Sequence, residues 1–386
     1  MTLFHLLGLS RFKKRGTDRE TPPSPHMNPG HPSPRPGIQP LVAAGIDLGV
    51  LGLMKKTRRY PKREDLTRVR REIDATDQLY ERLGFSENPQ SFHPKPPVAG
   101  PIKTSKGWCP AGRYTHLQFP SGYRPHQDDL VGQRWLRHKE NHTAHAWLLE
   151  GDPTAPWLVC LHGLGTGSPW MDLPAFEAEF LHKKLGLNLI FPVLPLHGPR
   201  RGPDVERGGL LSFELIESLH GVAQGVWDTR RLIGWIRSRG ATTIGIYGQS
   251  MGSYIAALVS GLEEVDLVLS AIPLCNIPKL FDSHSPARLQ AITEDLDILG
   301  ATLDRVFTVI SPASLCPKPP RHRRFILAGR SDKITRSSQA MALWQAWKGP
   351  TITWFDGGHL SYFWSPQARA ARNLTLRLLA DPPQGD

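Results

Sequence analysis

The sequence predicts an α/β fold built on a mainly parallel, doubly wound sheet. From about residue 110, short apolar runs recur along the chain, and helix-length segments separate most of the later ones. This alternation of strands and helices is typical of a parallel sheet with helices on both faces. The first strands are expected to form an antiparallel edge of the same sheet. The predicted strands are 113–119, 145–151, 156–163, 187–194, 242–248, 265–273, 323–330 and 351–358.

The composition indicates one large globular domain with extensions. The chain has 386 residues, of which 39% are hydrophobic, so it can build a sizeable core. Its net charge of +12 is concentrated at the front, where residues 1–71 contain 15 Lys and Arg against 5 Asp and Glu. The rest of the chain is therefore almost neutral, and we expect no nucleic-acid partner.

The cysteines indicate a reducing compartment. Cys109, Cys160, Cys275 and Cys316 contain no C-x-x-C pair, so neither a metal site nor a disulfide framework is expected. The chain opens with an apolar segment followed by basic residues, which is the reverse of the charge order in a signal peptide. We therefore expect a cytoplasmic protein, with peripheral membrane contact as an alternative.

Two segments precede the predicted sheet. Residues 1–40 include eight Pro between positions 21 and 40 and are expected to be a disordered basic tail. Residues 41–109 are expected to form a helical extension. Within it, residues 62–83 carry apolar side chains at helical spacing and are followed by Gly84, which predicts an amphipathic helix.

The apolar stretch at residues 41–54 has two interpretations. It is too short to span a bilayer and contains Asp47, so we favour a helix that packs on the main domain. Alternatively, with the basic residues that follow it, the stretch is an interfacial anchor. In that case residues 1–71 make a weak contact with an anionic membrane surface.

A G-x-S-x-G sequence at residues 248–252 marks the first candidate functional residue, Ser250. A β-branched and aromatic run precedes it, and a segment that reads as a helix follows it. A sharp turn from strand to helix exposes the serine hydroxyl at the carboxyl edge of a sheet. The pentapeptide alone also fits an ordinary turn with an incidental serine.

Three further strand ends carry polar or glycine residues of the kinds that such a serine would need. His162, Gly163 and Leu164 follow one buried strand, where glycine frees backbone N–H groups to bind an oxyanion. Asp332 and His359 each follow a later strand. Ligands of doubly wound sheets bind beyond the carboxyl ends of the strands, so these residues are expected to meet at one edge.

Over residues 110 to 380 the chain resembles the α/β-hydrolase superfamily. The motifs "HGLGTG", "GQSMG", "GRSDKI" and "GGH" look like its oxyanion loop, nucleophile elbow, acid turn and histidine loop. The resemblance implies an eight-stranded sheet in which only the second strand is antiparallel. It also implies Ser250 as nucleophile, Asp332 as acid and His359 as base.

Two points of this resemblance are open. Many relatives have a second Gly after the elbow where this chain has Ser253, which is small enough for the same close packing. Some relatives supply the acid after the preceding strand, where Asp282 is available here. We favour Asp332, because its G-x-S-D turn follows the expected strand.

The implied chemistry is acyl transfer through a covalent serine intermediate. His359 would take the proton of Ser250, and the backbone N–H groups of Met251 and Leu164 would bind the oxyanion. No metal or organic cofactor is expected. We therefore predict a serine hydrolase that acts on a carboxylic ester or related acyl bond of a small-molecule substrate. An acyltransferase, a non-catalytic binding protein of this fold and a membrane-docked interaction protein are the alternatives.

Substrate-binding residues are expected around this core. His162 and Gly163 belong to the predicted oxyanion loop. Arg200 and Arg201, in a loop rich in Pro and Gly, either clamp a carboxylate or phosphate of the substrate or fix their own loop. For the second role, Asp204 or Glu206 would be the partner. Residues 277–320 form a candidate lid insertion within the predicted catalytic domain, residues 110–386.

Overall fold

The computed structural model describes residues 33–34, 36–57, 60–203 and 209–380. The predicted tail, residues 1–40, lies mostly outside these residues. The strands are β1 Lys103–Cys109, β2 Gly112–Pro120, β3 Thr143–Leu149, β4 Trp157–Leu161, β5 Asn188–Pro192, β6 Ile244–Gln249, β7 Leu267–Ala271, β8 Arg324–Gly329 and β9 Thr351–Phe355.

All described strands belong to one nine-stranded sheet, in the order β1-β2-β3-β5-β4-β6-β7-β8-β9. The three pairs β1–β2, β2–β3 and β3–β5 are antiparallel. Every pair from β5 to β9 is parallel. The predicted mainly parallel sheet with an antiparallel edge is confirmed. Two strands, β1 and β3, run against the others, instead of the single strand that was predicted.

The prediction of eight strands is wrong by one, because the sequence does not mark β1 as a strand. Its first four side chains are exposed, so it lacks the alternation of apolar and polar residues that marks a half-buried strand. It pairs along its whole length with β2 and forms the outer edge of the sheet. The sheet therefore begins at residue 103, before the predicted domain boundary at residue 110.

Helices cover both faces of the sheet. They are α1 Ile38–Thr57, α2 Arg63–Arg82, α3 Leu130–Trp135, α4 Pro169–Ala175, α5 Ala178–Lys183, α6 Leu215–Ser238, α7 Met251–Leu262, α8 Ile277–His284, α9 Ala287–Asp295, α10 Ala301–Phe307, α11 Ser337–Ala346 and α12 Pro366–Ala380. One apolar core includes buried side chains of α2, α6, α7 and α10. A second core includes those of α4, α5 and α12.

The predicted helix at residues 62–83 is α2, and it packs on the main domain. Its apolar stripe, Leu66, Val69 and Ile73, is almost completely buried in the first core. Ion pairs also link α2 to the candidate lid segment. Arg305 of that segment contacts Asp77 of α2 at 2.6 Å. The N-terminal extension is thus part of the same hydrophobic core as the sheet.

Helix α1, Ile38–Thr57, extends three residues beyond each end of the predicted apolar stretch. Its Ala43 and Asp47 side chains are buried, whereas several of its large apolar side chains are exposed. By length and composition alone, the part from Ile38 to Lys56 could cross a membrane. The helix therefore combines a packed face with an exposed apolar face.

We predict that Ile73→Ala lowers the free energy of unfolding by about 2–5 kcal/mol, because it leaves a cavity in the core. Urea denaturation followed by tryptophan fluorescence measures this change. The control is Arg71→Ala, since Arg71 is exposed on the same helix. Equal stability of the two variants would mean that α2 does not fold as part of the main domain.

Candidate active site

Ser250 occupies the turn between β6 and α7 with a strained backbone. Its φ and ψ angles are 54° and −118°, a region that residues with a side chain rarely adopt. The turn depends on glycine on both sides. A Cβ atom at Gly252 would overlap the carbonyl oxygen of Leu161 at the end of β4, and one at Gly248 would overlap the backbone of Gly252. The sequence therefore folds here into the predicted sharp turn from strand to helix.

Ser253, which stands where many relatives of this fold have glycine, fits the turn. Its hydroxyl donates to the backbone oxygen of Ser250 at 2.6 Å and accepts from the backbone N–H of Leu274 at 3.3 Å. The side chain is fully buried. Ser253 thus ties the turn to the segment that follows β7.

The structure brings His359 and Asp332 to Ser250 in a hydrogen-bonded chain. The Nε2 atom of His359 lies 3.0 Å from the Oγ atom of Ser250, and its Nδ1 atom lies 2.7 Å from Oδ2 of Asp332. A carboxylate only accepts hydrogen bonds, so Nδ1 carries the proton and Nε2 is free to accept from the serine hydroxyl. The three side chains have the relative positions of a Ser-His-Asp triad.

The carboxylate of Asp332 is held in place from its other side. Its Oδ1 atom accepts from the backbone N–H groups of Ile334 at 2.8 Å and Thr335 at 2.7 Å. The Thr335 hydroxyl lies 3.0 Å from Oδ2 of Asp332. By contrast, Asp282 is exposed on α8. Of the two candidate acids, the histidine ring is therefore hydrogen-bonded to Asp332.

The surroundings of His359 stabilise its protonated form. Burial on its own lowers the pKa of this residue, but the charge of Asp332 and the hydrogen bond to it raise the pKa, and the charge of Asp47 also raises it. The net result is a pKa above the usual value. Ser250 thus faces an imidazole that accepts a proton readily.

Asp47, on helix α1, supports the histidine loop and was not predicted to belong to the site. Its Oδ2 atom accepts from the backbone N–H of His359 at 2.7 Å and of Lys333 at 3.1 Å, while Oδ1 accepts from that of Leu360 at 3.0 Å. Its side chain is fully buried. One carboxylate therefore joins the loops that carry His359 and Asp332. A single acidic residue in an otherwise apolar stretch was the signal in the sequence.

The backbone segments that contain the two predicted oxyanion donors, Met251 and Leu164, approach the serine. Met251 is the first residue of α7, and the N–H of a first helical residue has no acceptor within its helix. The loop of Gly163 and Leu164 follows β4, and a Cβ atom at Gly163 would lie 3.4 Å from Cβ of Ser250. Both backbone segments therefore border the hydroxyl of Ser250.

His162 has a supporting position instead of the predicted substrate-binding one. Its Nε2 atom accepts from the backbone N–H of Leu194 at 3.0 Å, and Nδ1 lies 2.8 Å from the carbonyl oxygen of Gly163. Burial lowers its pKa to about 4, so the ring is neutral. Because both ring nitrogens form hydrogen bonds within the protein, His162 fixes the loop.

The predicted substrate clamp at Arg200 is wrong. The side chain is fully buried and forms an ion pair with Asp228 of α6 at 2.8 Å. It also donates to the backbone oxygen of Val193 at 2.9 Å and of Asn141 at 3.1 Å. Arg200 thus connects its loop to α6 and to the segment before β3, as a structural residue.

The roles predicted for the remaining charged residues of this loop stay predictions. Arg201 is exposed, and its role in substrate binding stays a prediction. Asp204 and Glu206, the partners expected for the loop arginines, lie outside the described residues. Within the described ranges, no group of three or more His, Cys, Asp or Glu side chains is arranged to hold a metal ion.

We predict that Asp47→Asn lowers the pKa of His359, because it removes a negative charge that raises this pKa. The neutral imidazole would then persist to lower pH than in the unmodified protein. NMR titration of the histidine rings, with His359 assigned from a His359→Asn variant, measures the shift. Glu64→Gln, at an exposed position on α2, is the control. An unchanged His359 titration in Asp47→Asn would contradict this role for Asp47.

Sequence comparison identifies relatives in Mycobacterium tuberculosis. No protein-family model matches the chain. The uncharacterized proteins MT2702 and Rv2627c, from two strains of Mycobacterium tuberculosis, are each 35% identical over 342 residues, which cover 88% of this chain and 82% of theirs.

Among solved structures, acetyl xylan esterase 1 from a Thermoanaerobacterium species aligns with a TM-score of 0.51 at 15% identity. The alignment covers 76% of this chain and 97% of that one. The sheet order, the turn at Ser250 and this alignment agree on one fold. The chain therefore has the α/β-hydrolase fold and belongs to the same family as the two mycobacterial proteins.

Proposed function

We propose that the protein is a serine hydrolase that cleaves a carboxylic ester or a related acyl bond. One observation carries this proposal: the unbroken chain of hydrogen bonds from Ser250 through His359 to Asp332, with heavy-atom distances of 3.0 and 2.7 Å. Both distances lie within hydrogen-bonding range, as is expected between a nucleophile and its general base and between that base and the carboxylate that orients it.

In the proposed reaction, His359 Nε2 takes the proton of Ser250 as Oγ attacks the substrate carbonyl carbon. The imidazolium is stabilised by Asp332, whose carboxylate stays ionised. His359 then gives the proton to the leaving alcohol or thiol, and the bond between it and the acyl carbon breaks. Water, deprotonated by His359, attacks the acyl-enzyme, releases a carboxylic acid and restores the hydroxyl of Ser250.

The oxyanion that forms at each addition step needs fixed donors. The backbone N–H groups of Met251 and Leu164 are the donors we propose. Loss of one such donor raises the barrier by about 3 kcal/mol in comparable sites. Backbone donors on a half-buried loop and at a helix start need little reorganisation during the reaction. The hydrogen bonds of His162 to the backbone of Gly163 and of Leu194 support this arrangement.

We predict that a fluorophosphonate probe labels the protein at Ser250, because such probes trap a serine that a histidine activates. Ser250→Ala should lose both the labelling and the turnover of p-nitrophenyl esters of graded acyl length. Mass spectrometry of the labelled peptide identifies the site. Ser260→Ala is the control, because Ser260 is a buried serine of α7 whose hydroxyl donates to the backbone oxygen of Ala257. Labelling at another residue with full turnover in Ser250→Ala would disprove the proposal.

We also predict that Asp332→Asn lowers kcat by about 10⁴-fold, because an amide at this position favours the wrong tautomer of the histidine. Asp282→Asn should change kcat little, since Asp282 is exposed on α8. Steady-state kinetics on the best ester from the screen, combined with thermal melting of both variants, makes the comparison. The opposite ranking of the two variants would assign the acid to Asp282.

A further inference from the structure

We propose that the outward face of helix α1 docks the protein on an anionic lipid surface. This face consists of exposed apolar side chains on a helix whose opposite side is fixed to the candidate active site. The proposal concerns binding, and it does not depend on the chemistry proposed for Ser250.

The outward face of α1 is unusually apolar for a protein surface. The exposed fractions are 81% for Ile38, 73% for Leu41, 55% for Val42 and 56% for Leu48. Single exposed apolar residues are common, but several on one helix mark an interaction surface. The exposed apolar character is therefore a property of the whole helix face.

The charges of α1 match a negatively charged partner. Asp47 is the only charged residue between positions 38 and 54, and it is buried against the domain. The exposed charges, Lys55 and Lys56, lie together at the end of the helix. Apolar side chains that enter a lipid layer next to lysines at the headgroup level are typical of interfacial helices.

The inner face of α1 holds the helix alongside the domain. Asp47 accepts hydrogen bonds from three backbone N–H groups, at distances of 2.7 to 3.1 Å. Ala43 is buried, and its carbonyl oxygen would lie 3.0 Å from a Cβ atom at Gly358. A helix held along this side lies in the plane of a lipid surface and does not cross the bilayer.

Docking through α1 would bring the candidate active site to the lipid surface. The N–H groups bound by Asp47 belong to His359, Leu360 and Lys333, at the carboxyl ends of β8 and β9. This is the edge of the sheet at which Ser250 lies. Helix α1 and the candidate active site therefore lie at the same edge of the sheet.

Sedimentation of the full-length protein with phosphatidylcholine vesicles, with and without phosphatidylglycerol, tests the proposal. We expect binding to the anionic vesicles and its release by salt. Leu41→Gln/Leu48→Gln should weaken this binding by about tenfold or more, because it removes apolar surface from the lipid contact. Val98→Gln/Leu130→Gln, at exposed apolar sites elsewhere, should bind like the unmodified protein.

Several outcomes would overturn the proposal. Absence of vesicle binding by the unmodified protein is one. Undiminished binding by Leu41→Gln/Leu48→Gln, with an unchanged melting temperature, would assign the contact to another segment. A dimer in light scattering that this variant dissociates, without any vesicle binding, would identify a second copy of the chain as the occupant of the face.

Discussion

The candidate site depends on the close passage of α7 over the end of β4. Gly252 lies so near the carbonyl oxygen of Leu161 that no side chain fits between them. This contact forces the turn that gives Ser250 its positive φ angle and frees the N–H of Met251. The strain is retained because the two elements are buried on both sides. The serine hydroxyl is thus positioned by packing of the backbone.

The histidine is positioned by two carboxylates that act in different ways. Asp332 binds the ring itself and sets its tautomer, while Asp47 binds the backbone of the loop that carries the ring. Both negative charges raise the pKa of His359, in opposition to burial. Asp47 is itself buried, which raises its pKa, and its three backbone donors lower it. The cost of burying this second carboxylate is offset by its hydrogen bonds to three backbone N–H groups.

The sheet and the proximity of Ser250, Asp332 and His359 can be predicted from the sequence, because both depend on local signals. The eight predicted strands are short, apolar and followed by turn residues, and Ser250, Asp332 and His359 each follow one of them. Parallel strands bring their carboxyl ends to one edge of the sheet, so residues that directly follow these strands are expected to lie close together. Strand β1 has no apolar pattern and forms only because β2 offers it an edge.

The parts that could not be predicted depend on partners distant in the chain. In the sequence, Arg200 stands out as one of two neighbouring positive charges in a loop. Its ion-pair partner, Asp228, lies on α6, and both side chains are buried, so the arginine has a structural role. The role of Asp47 could not be predicted because α1 contacts the loops after β8 and β9, and Lys333 in the first of these loops is 286 residues further along the chain. Spacing in a sequence contains no information on such contacts.

Helix α1 reverses the usual arrangement of an amphipathic helix on a soluble domain. Its one acidic side chain, Asp47, faces the protein, and several of its large apolar side chains face outward. Burial of a carboxylate is tolerated here because backbone N–H groups satisfy it, so the helix is fixed by hydrogen bonds where most helices are fixed by apolar contact. The apolar residues of α1 therefore remain available for another surface. Because the same carboxylate orders the histidine loop, any partner that displaced the helix would also disturb His359.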